Sequence, residues 1–192
     1  MKTQDGEFPS ITFKTGLDNT KYLYNETGNV GYYYVEAKAR EFAARGETRS
    51  PLNISLVIDR SGSMQGDKLK HAKLAAQYVI DQLSAEDYVS IVQYDDAVDV
   101  VATSNRVGDK QLLKRKIDAI QDGGSTNLGG GMLEGYKQVK STYRSGSINR
   151  VLLLSDGLVN VGITSNEELQ RIAKTQNLEH GITISTFGLG LD

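Results

Sequence analysis

From Leu52 onward, short apolar runs alternate with segments that carry apolar residues at helical spacing. Residues 54–58 and 151–154 are apolar runs typical of buried strands, whereas residues 67–83 show a helical period with Asp67 as a candidate cap. Alternating strands and helices favour a mostly parallel sheet, because each parallel connection has to cross over the sheet. The sequence therefore predicts an α/β fold for residues 51–192, a doubly wound sheet with helices on both faces.

Turn and cap signals define the other elements of this region. Residues 88–94 and 98–102 are predicted strands, and the short connection between them predicts a hairpin with Asp95 exposed. The remaining predictions are a helix capped by Asp109, a helix after Thr126 with Leu133 facing inward, a helix that starts with the capping box Ser165–Glu168, and a strand at residues 182–187.

Residues 1–50 have a different character. They hold more than half of the chain's Phe and Tyr residues, and residues 30–39 alternate with period two, which predicts an antiparallel strand. Residues 11–15 are a weaker strand candidate. We therefore expect a separate β-rich segment, part of a β-sandwich-like region built around Phe13, Tyr33 and Val35.

Composition excludes several classes of protein. The 192 residues are 39% hydrophobic and 24% charged, as in soluble globular proteins, and the net charge of −2 favours neither nucleic acid nor an anionic membrane. Cysteine is absent, which excludes disulfides and thiolate metal sites, and only two histidines are present. No apolar run is long enough to predict a membrane span. The first residues lack the apolar core of a signal peptide, so we expect a cytoplasmic protein or a chain whose signal was removed.

The segment Asp59-Arg60-Ser61-Gly62-Ser63 follows the apolar run at residues 54–58. Its carboxylate and two hydroxyls alternate along the chain, so an extended loop can direct all three to one point. An all-oxygen half-shell of this kind suits magnesium or manganese better than zinc. This loop is therefore a candidate cation site.

Two later segments could complete such a site. Residues 123–127 read Gly-Gly-Ser-Thr-Asn before a predicted helix, and Ser155-Asp156-Gly157 follows the second apolar run. Each segment alone is explained by turn or cap chemistry. Ligands of open α/β sheets bind at the carboxyl ends of the strands where strand order reverses, so Asp59 and Asp156 would meet there if their strands are neighbours. The order of the three segments favours a joint site.

The three segments match, in order, the metal-ion-dependent adhesion site (MIDAS) of the von Willebrand factor type A (VWA) family. The resemblance covers about residues 52–192 and implies a Rossmann-like fold. Within the family, residues 51–64 resemble bacterial proteins labelled as homologues of chloride channels or of inter-alpha-trypsin-inhibitor heavy chains. The resemblance to the VWA family also implies that the fold continues with another helix and strand, which residues 51–192 are expected to lack. The metal ligands it implies are Asp59, Ser61, Ser63, Thr126 and Asp156.

The implied site predicts a function. Two carboxylates balance a divalent cation, Mg²⁺ with Mn²⁺ or Ca²⁺ possible, while the hydroxyl ligands are neutral and leave one position to water. A partner protein could replace that water with an Asp or Glu. We therefore expect a non-enzymatic adhesion or assembly module, with an extracytoplasmic or cell-surface location implied by the resemblance.

Two alternatives remain open at this stage. A metal-dependent hydrolase would need a positioned general base, and His71 is expected on a solvated helix position. A scaffold whose metal site is filled from within the full-length chain would use the same ligands without an external partner.

Overall fold

The computed structural model describes residues 11–17, 33–39 and 49–190, and the chain divides into two units, residues 1–48 and 49–192. In the first unit, strands β1 (Ile11–Leu17) and β2 (Tyr33–Ala39) pair antiparallel. Both strands predicted in this part of the chain are confirmed. The side-chain packing predicted around Phe13, Tyr33 and Val35 lies outside the described part of the structure, so the β-sandwich and the domain division stay predictions.

The second unit alternates strands and helices as the sequence predicts. Its elements are β3 (Leu52–Asp59), a 3₁₀ turn (Gly62–Met64), α1 (Asp67–Gln82), β4 (Tyr88–Tyr94), β5 (Val98–Arg106), α2 (Lys110–Asp118), α3 (Leu128–Ser141), β6 (Ile148–Ser155), α4 (Asn166–His180) and β7 (Thr183–Gly188).

The second unit forms one five-stranded sheet with the order β5-β4-β3-β6-β7. Strands β3, β4, β6 and β7 run parallel, and β5 is an antiparallel edge strand. The chain builds outward from β3 to β5 and then returns to β6 on the other side of β3. Strand order therefore reverses between β3 and β6, where open α/β sheets bind their ligands. The predicted doubly wound, mostly parallel fold is confirmed.

Alternate residues of β3 supply the two halves of the core. Leu56 and Ile58 belong to a buried cluster with Ala72 and Ile80 of α1. Val57, between them, belongs to a second cluster that contains the inner faces of α3 and α4. Helices therefore cover both faces of the sheet, because successive side chains of a buried strand point to opposite faces.

Helix α3 lies unusually close to the sheet because glycines face it. A Cβ on Gly131 would lie 2.5 Å from Cδ1 of Tyr94, and a Cβ on Gly135 would lie 2.6 Å from Cγ2 of Val57. Both distances are shorter than side chains tolerate. Gly131 and Gly135 thus allow close helix–sheet packing.

Several local predictions are confirmed and others are wrong. Asp109 accepts a hydrogen bond from the backbone N–H of Leu112, and Ser165 accepts one from Glu168, so both caps are as predicted. Asp67 is instead the first residue of α1, and Gly66 stands at the cap position. Leu133, expected inward, is 42% exposed because the glycine face of α3 packs on the sheet.

None of the helices within residues 49–190 has both the length and the apolar character needed to cross a membrane.

Candidate metal centre

Asp59 ends β3 with a carboxylate that is fully buried. Its Oδ1 accepts a hydrogen bond from the backbone N–H of Ser61 at 2.9 Å. Its Oδ2 accepts hydrogen bonds from the Tyr94 hydroxyl at 3.2 Å and from the Ser155 hydroxyl at 2.7 Å. The three donors fix the orientation of the carboxylate, because each forms a hydrogen bond to a particular one of its two oxygens.

Asp156 directly follows β6, the neighbour of β3. Its side chain is only 3% exposed, and its Oδ2 lies 3.1 Å from Nζ of Lys68. Ile58 and Leu154 are register partners, so Asp59 and Asp156 leave adjacent strands at the same edge of the sheet. The condition on which the sequence prediction depended, that the two strands are neighbours, is therefore met.

The two serines of the first loop have neighbouring hydroxyls. Oγ of Ser61 lies 3.2 Å from Oγ of Ser63, within hydrogen-bonding distance. Ser61 is buried, whereas Ser63 is exposed. The loop therefore reaches from the buried Asp59 toward solvent, with oxygen atoms along its course.

Backbone hydrogen bonds join this loop to residues 123–127. Ser61 and Gly123 form an isolated parallel bridge. The N–H of Gly123 donates to the carbonyl of Arg60 at 2.8 Å, and the N–H of Gly62 donates to the carbonyl of Gly124 at 3.0 Å. The segment that carries Thr126 is thus held beside the first loop.

Thr126 itself is buried and is held by the loop after β6. Its backbone N–H donates to Oδ1 of Asn160 at 2.7 Å, and its carbonyl accepts from the N–H of Val161 at 3.1 Å. The next residue, Asn127, caps α3 by accepting from the N–H of Gly130 at 3.0 Å. These contacts set the position of Thr126 from both sides.

An ion pair between Arg60 and Asp95 shows that the prediction of an exposed Asp95 is wrong. Asp95 is 5% exposed rather than solvated, and its Oδ2 lies 2.7 Å from Nη2 of Arg60. Arg60 also donates to the carbonyl of Gln121 at 3.3 Å. Arg60, inside the first loop, therefore draws the β4–β5 connection inward, because a buried carboxylate needs a charged partner.

Burial and nearby negative charges both raise the pKa of the Tyr94 hydroxyl. Tyr94 is fully buried, and burial is the main reason why the pKa of its hydroxyl is raised, with the negative charge of Asp59 the next cause. Asp156 contributes in the same direction. Tyr94 consequently stays a neutral hydrogen-bond donor to Asp59.

The five residues expected as metal ligands lie on three loops at the carboxyl edge of the sheet. Within the described residues, no three His, Cys, Asp or Glu side chains could hold a metal ion together, so any site here depends on hydroxyl groups as well.

Sequence reasoning missed the contacts of Tyr94, Ser155, Lys68 and Asn160. Ser155 directly precedes Asp156, and this position next to a candidate ligand is a signal that could have identified it. The other three come from distant elements, and no local pattern marks them.

Comparisons with known proteins agree with this architecture. The family model described as "von Willebrand factor type A domain" matches residues 53–192. Uncharacterized protein YfbK from Escherichia coli is 34% identical over 139 residues, which are 72% of this chain and 24% of the relative. Human inter-alpha-trypsin inhibitor heavy chain H2 is 32% identical over 153 residues, 74% of this chain and 16% of the relative. The chain thus spans about a quarter or less of these relatives' lengths.

Solved structures show the same fold. A von Willebrand factor type A protein from Catenulispora acidiphila has a TM-score of 0.64 at 18% identity, covering 100% of this chain and 43% of that one. Proximal thread matrix protein 1 from the mussel byssus, solved with a zinc-occupied MIDAS motif, has a TM-score of 0.62 at 21% identity and covers 76% of this chain and 39% of its own. The resemblance to inter-alpha-trypsin inhibitor heavy chains is confirmed, and the chain belongs to the von Willebrand factor type A domain family.

Proposed function

We propose that residues 49–192 form a divalent-cation-dependent protein-binding module. The observation that supports the proposal is the placement of two carboxylates at the switch point of the sheet. Asp59 and Asp156 follow the two strands between which strand order reverses, and the paired hydroxyls of Ser61 and Ser63 continue from Asp59. Thr126 is held at the same edge by its hydrogen bonds to the loop after β6.

The chemistry of these residues fits a hard cation. Two carboxylates offset the charge of a divalent ion, and three neutral hydroxyls add oxygen donors without further charge. We propose Mg²⁺ as the cofactor, with Mn²⁺ and Ca²⁺ as substitutes. The zinc-occupied motif of the mussel protein supports a divalent cation in a site of this family.

The geometry also supports an external ligand. When bound, the cation supplies a positive charge that can accept a carboxylate from an Asp or Glu of a partner protein. Asp59 and Thr126 are buried beneath the site, whereas Ser63 is exposed at its outer side. The site therefore opens to solvent on the side where a partner would approach. By family resemblance, we place this encounter outside the cytoplasm or at a cell surface.

A binding role fits the surroundings better than hydrolysis. Among the described residues, the hydrogen-bond partner of the Ser61 hydroxyl is another serine, Ser63, which is a poor general base. His71 is exposed on α1. The chain is accordingly proposed to bind without catalysing a reaction.

Calorimetric titration with Mg²⁺ and Mn²⁺ tests the cation site. The chain should bind one ion of either metal, and Asp59→Ala combined with Asp156→Ala should abolish the heat of binding. Asp81→Ala combined with Asp118→Ala is the matched control, since it removes the same charge from exposed positions. Equal binding by both double variants would refute the assignment.

Partner binding tests the role of the cation. A protein partner retained by the immobilised chain with Mg²⁺ should be released by chelator and weakened by Thr126→Ala, because the lost hydroxyl contacts the ion rather than the core. Ser125→Ala, at an exposed neighbouring position, should retain it. Retention in chelator would exclude a metal bridge. Mg²⁺ binding by a chain that retains no partner under any condition would instead favour a site filled from within a longer chain.

A further inference from the structure

We propose that the Lys68 ammonium is a built-in counter-cation of Asp156 that competes with the divalent cation for this carboxylate. Lys68 would then set the cation concentration at which the site fills. This inference rests on the proposed function, since it concerns the affinity of the same cation site.

The contact between the two side chains is direct. Nζ of Lys68 lies 3.1 Å from Oδ2 of Asp156, whose side chain is 3% exposed. Burial of a carboxylate is costly unless a charged partner compensates it. The ammonium therefore stabilises Asp156 when no metal is bound, and the site is held together by a cation that belongs to the protein.

Asp59 differs from Asp156 in the charge of its partners within the described part of the chain. Among the described residues, Asp59 receives its hydrogen bonds from neutral donors: Ser61 N–H, Tyr94 hydroxyl and Ser155 hydroxyl. Such donors orient a carboxylate without cancelling its charge. Of the two carboxylates, Asp156 is thus the one that a positive side chain already occupies.

The place of Lys68 in α1 supports a role beyond the helix. Lys68 is the second residue of this helix, after Gly66 at the cap and Asp67. The amino end of a helix carries partial positive charge, so a lysine in the first turn is unfavourable for the helix itself. The ion pair with Asp156 offsets this penalty.

Competition follows from the charges. A divalent cation on Asp156 would share this carboxylate with the ammonium, and the two positive charges repel each other. The Lys68 side chain is 26% exposed, and a lysine stem has several rotatable bonds, so the ammonium can move away from Asp156 when the ion arrives. Lys68 therefore weakens cation binding without preventing it.

Calorimetric titration of a Lys68→Met variant with Mg²⁺ and Mn²⁺ tests the competition. Methionine keeps an unbranched stem and removes the charge, so the dissociation constant should fall about tenfold. Lys68→Arg keeps the charge and should bind like the native sequence. Lys70→Met, an exposed neighbour on the same helix, is the matched control and should also leave the affinity unchanged.

Thermal unfolding in chelator provides a second measurement. Lys68→Met should melt at a lower temperature than Lys70→Met, because Asp156 stays buried without its counter-charge. Mg²⁺ should then raise the melting temperature of Lys68→Met more than that of Lys70→Met. Lys68→Gln, which can still donate a neutral hydrogen bond, covers the case in which the methionine variant does not fold.

The outcomes separate this inference from the proposed function. Mg²⁺ binding by the native sequence with no gain in any uncharged Lys68 variant would overturn the inference alone. Absence of binding in every variant would overturn both. Binding only after Lys68 is neutralised would support the competition for Asp156 but would overturn the proposed function of the native sequence, because the ammonium would then exclude the cation.

Discussion

The Ser155 hydroxyl donates a hydrogen bond to Oδ2 of Asp59 at 2.7 Å, across 96 positions of the chain. It joins the ends of β6 and β3, the two strands between which strand order reverses. The same hydroxyl accepts a hydrogen bond from the N–H of Gly157 at 3.0 Å. One small side chain thus orients Asp59 and anchors the turn that carries Asp156.

Replacing Ser155 by alanine should therefore affect both the fold and the candidate site. Loss of a hydrogen bond to a buried carboxylate should lower the free energy of unfolding by about 1–3 kcal/mol, measured by urea denaturation in chelator. Mg²⁺ affinity should fall as well, because Asp59 and Asp156 lose a shared anchor. Calorimetry measures this second effect.

Ser90→Ala is the control for the serine substitution. Ser90 is also fully buried on β4, but its hydroxyl has no hydrogen-bond partner in the described structure. Removing an unpaired buried hydroxyl should leave stability unchanged or raise it. If Ser155→Ala and Ser90→Ala changed the free energy of unfolding equally, the hydrogen bond to Asp59 would make no contribution to stability.

A methyl group at Gly131 should disturb the site through the core. Its Cβ would lie 2.5 Å from the Tyr94 ring, so α3 or Tyr94 has to shift. Overpacking of this kind costs about 1–3 kcal/mol, and the better helix propensity of alanine offsets part of it. Tyr94 donates to Asp59, so Gly131→Ala should lower both the melting temperature and Mg²⁺ affinity.

Gly108→Ala is the matched control for this substitution. No atom lies within 4 Å of the position that its Cβ would take. The melting temperature should therefore stay the same or rise slightly, since alanine restricts the unfolded chain. An equal loss in both variants would show that the short distance to Tyr94 is not the cause.

Asp87 makes the stability of the second unit dependent on pH. Its side chain is fully buried and pairs with Arg49, next to the start of β3. Burial by itself raises the pKa of Asp87, but hydrogen bonds from Arg49 and from the N–H groups of Leu52 and Ser84 outweigh it. The net result is a pKa well below the usual range.

A carboxyl group whose pKa falls on folding stabilises the protein above its unfolded-state pKa of about 3.9, and this stabilisation is lost as the pH drops below that value. The free energy of unfolding should thus decrease from pH 5 toward pH 3, both pH values being about one unit from that pKa. In Asp87→Asn it should be lower at neutral pH and should change less across this range. Urea denaturation at several pH values measures both.

Asp81→Asn is the control for the pH experiment. Asp81 pairs with Lys114 at 2.9 Å, but its side chain is 47% exposed. Exposed ion pairs contribute little to stability, so this variant should follow the pH profile of the native sequence. A profile for Asp87→Asn as steep as that of the native sequence would assign the acid sensitivity to other groups.

Much of the architecture was predictable because its signals are local. The caps at Asp109 and Ser165 follow from the chemistry of one side chain and a nearby N–H group. The parallel sheet follows from apolar runs that alternate with helical periods, which require crossover connections. Errors occur where the partner is distant: Asp95 is buried because Arg60 draws it inward, and Leu133 is exposed because α3 packs through its glycines.

Sequence patterns alone predict the class of fold and show the order of the three oxygen-rich segments, Asp59 to Ser63, residues 123–127 and Ser155 to Gly157. The surroundings of these segments become apparent in the folded chain. The hydroxyl donors to Asp59 and the lysine on Asp156 come from positions 35 to 96 residues away along the chain. Periodicity and motif spacing report neighbours in sequence, whereas burial and charge depend on which strands and helices the fold brings together.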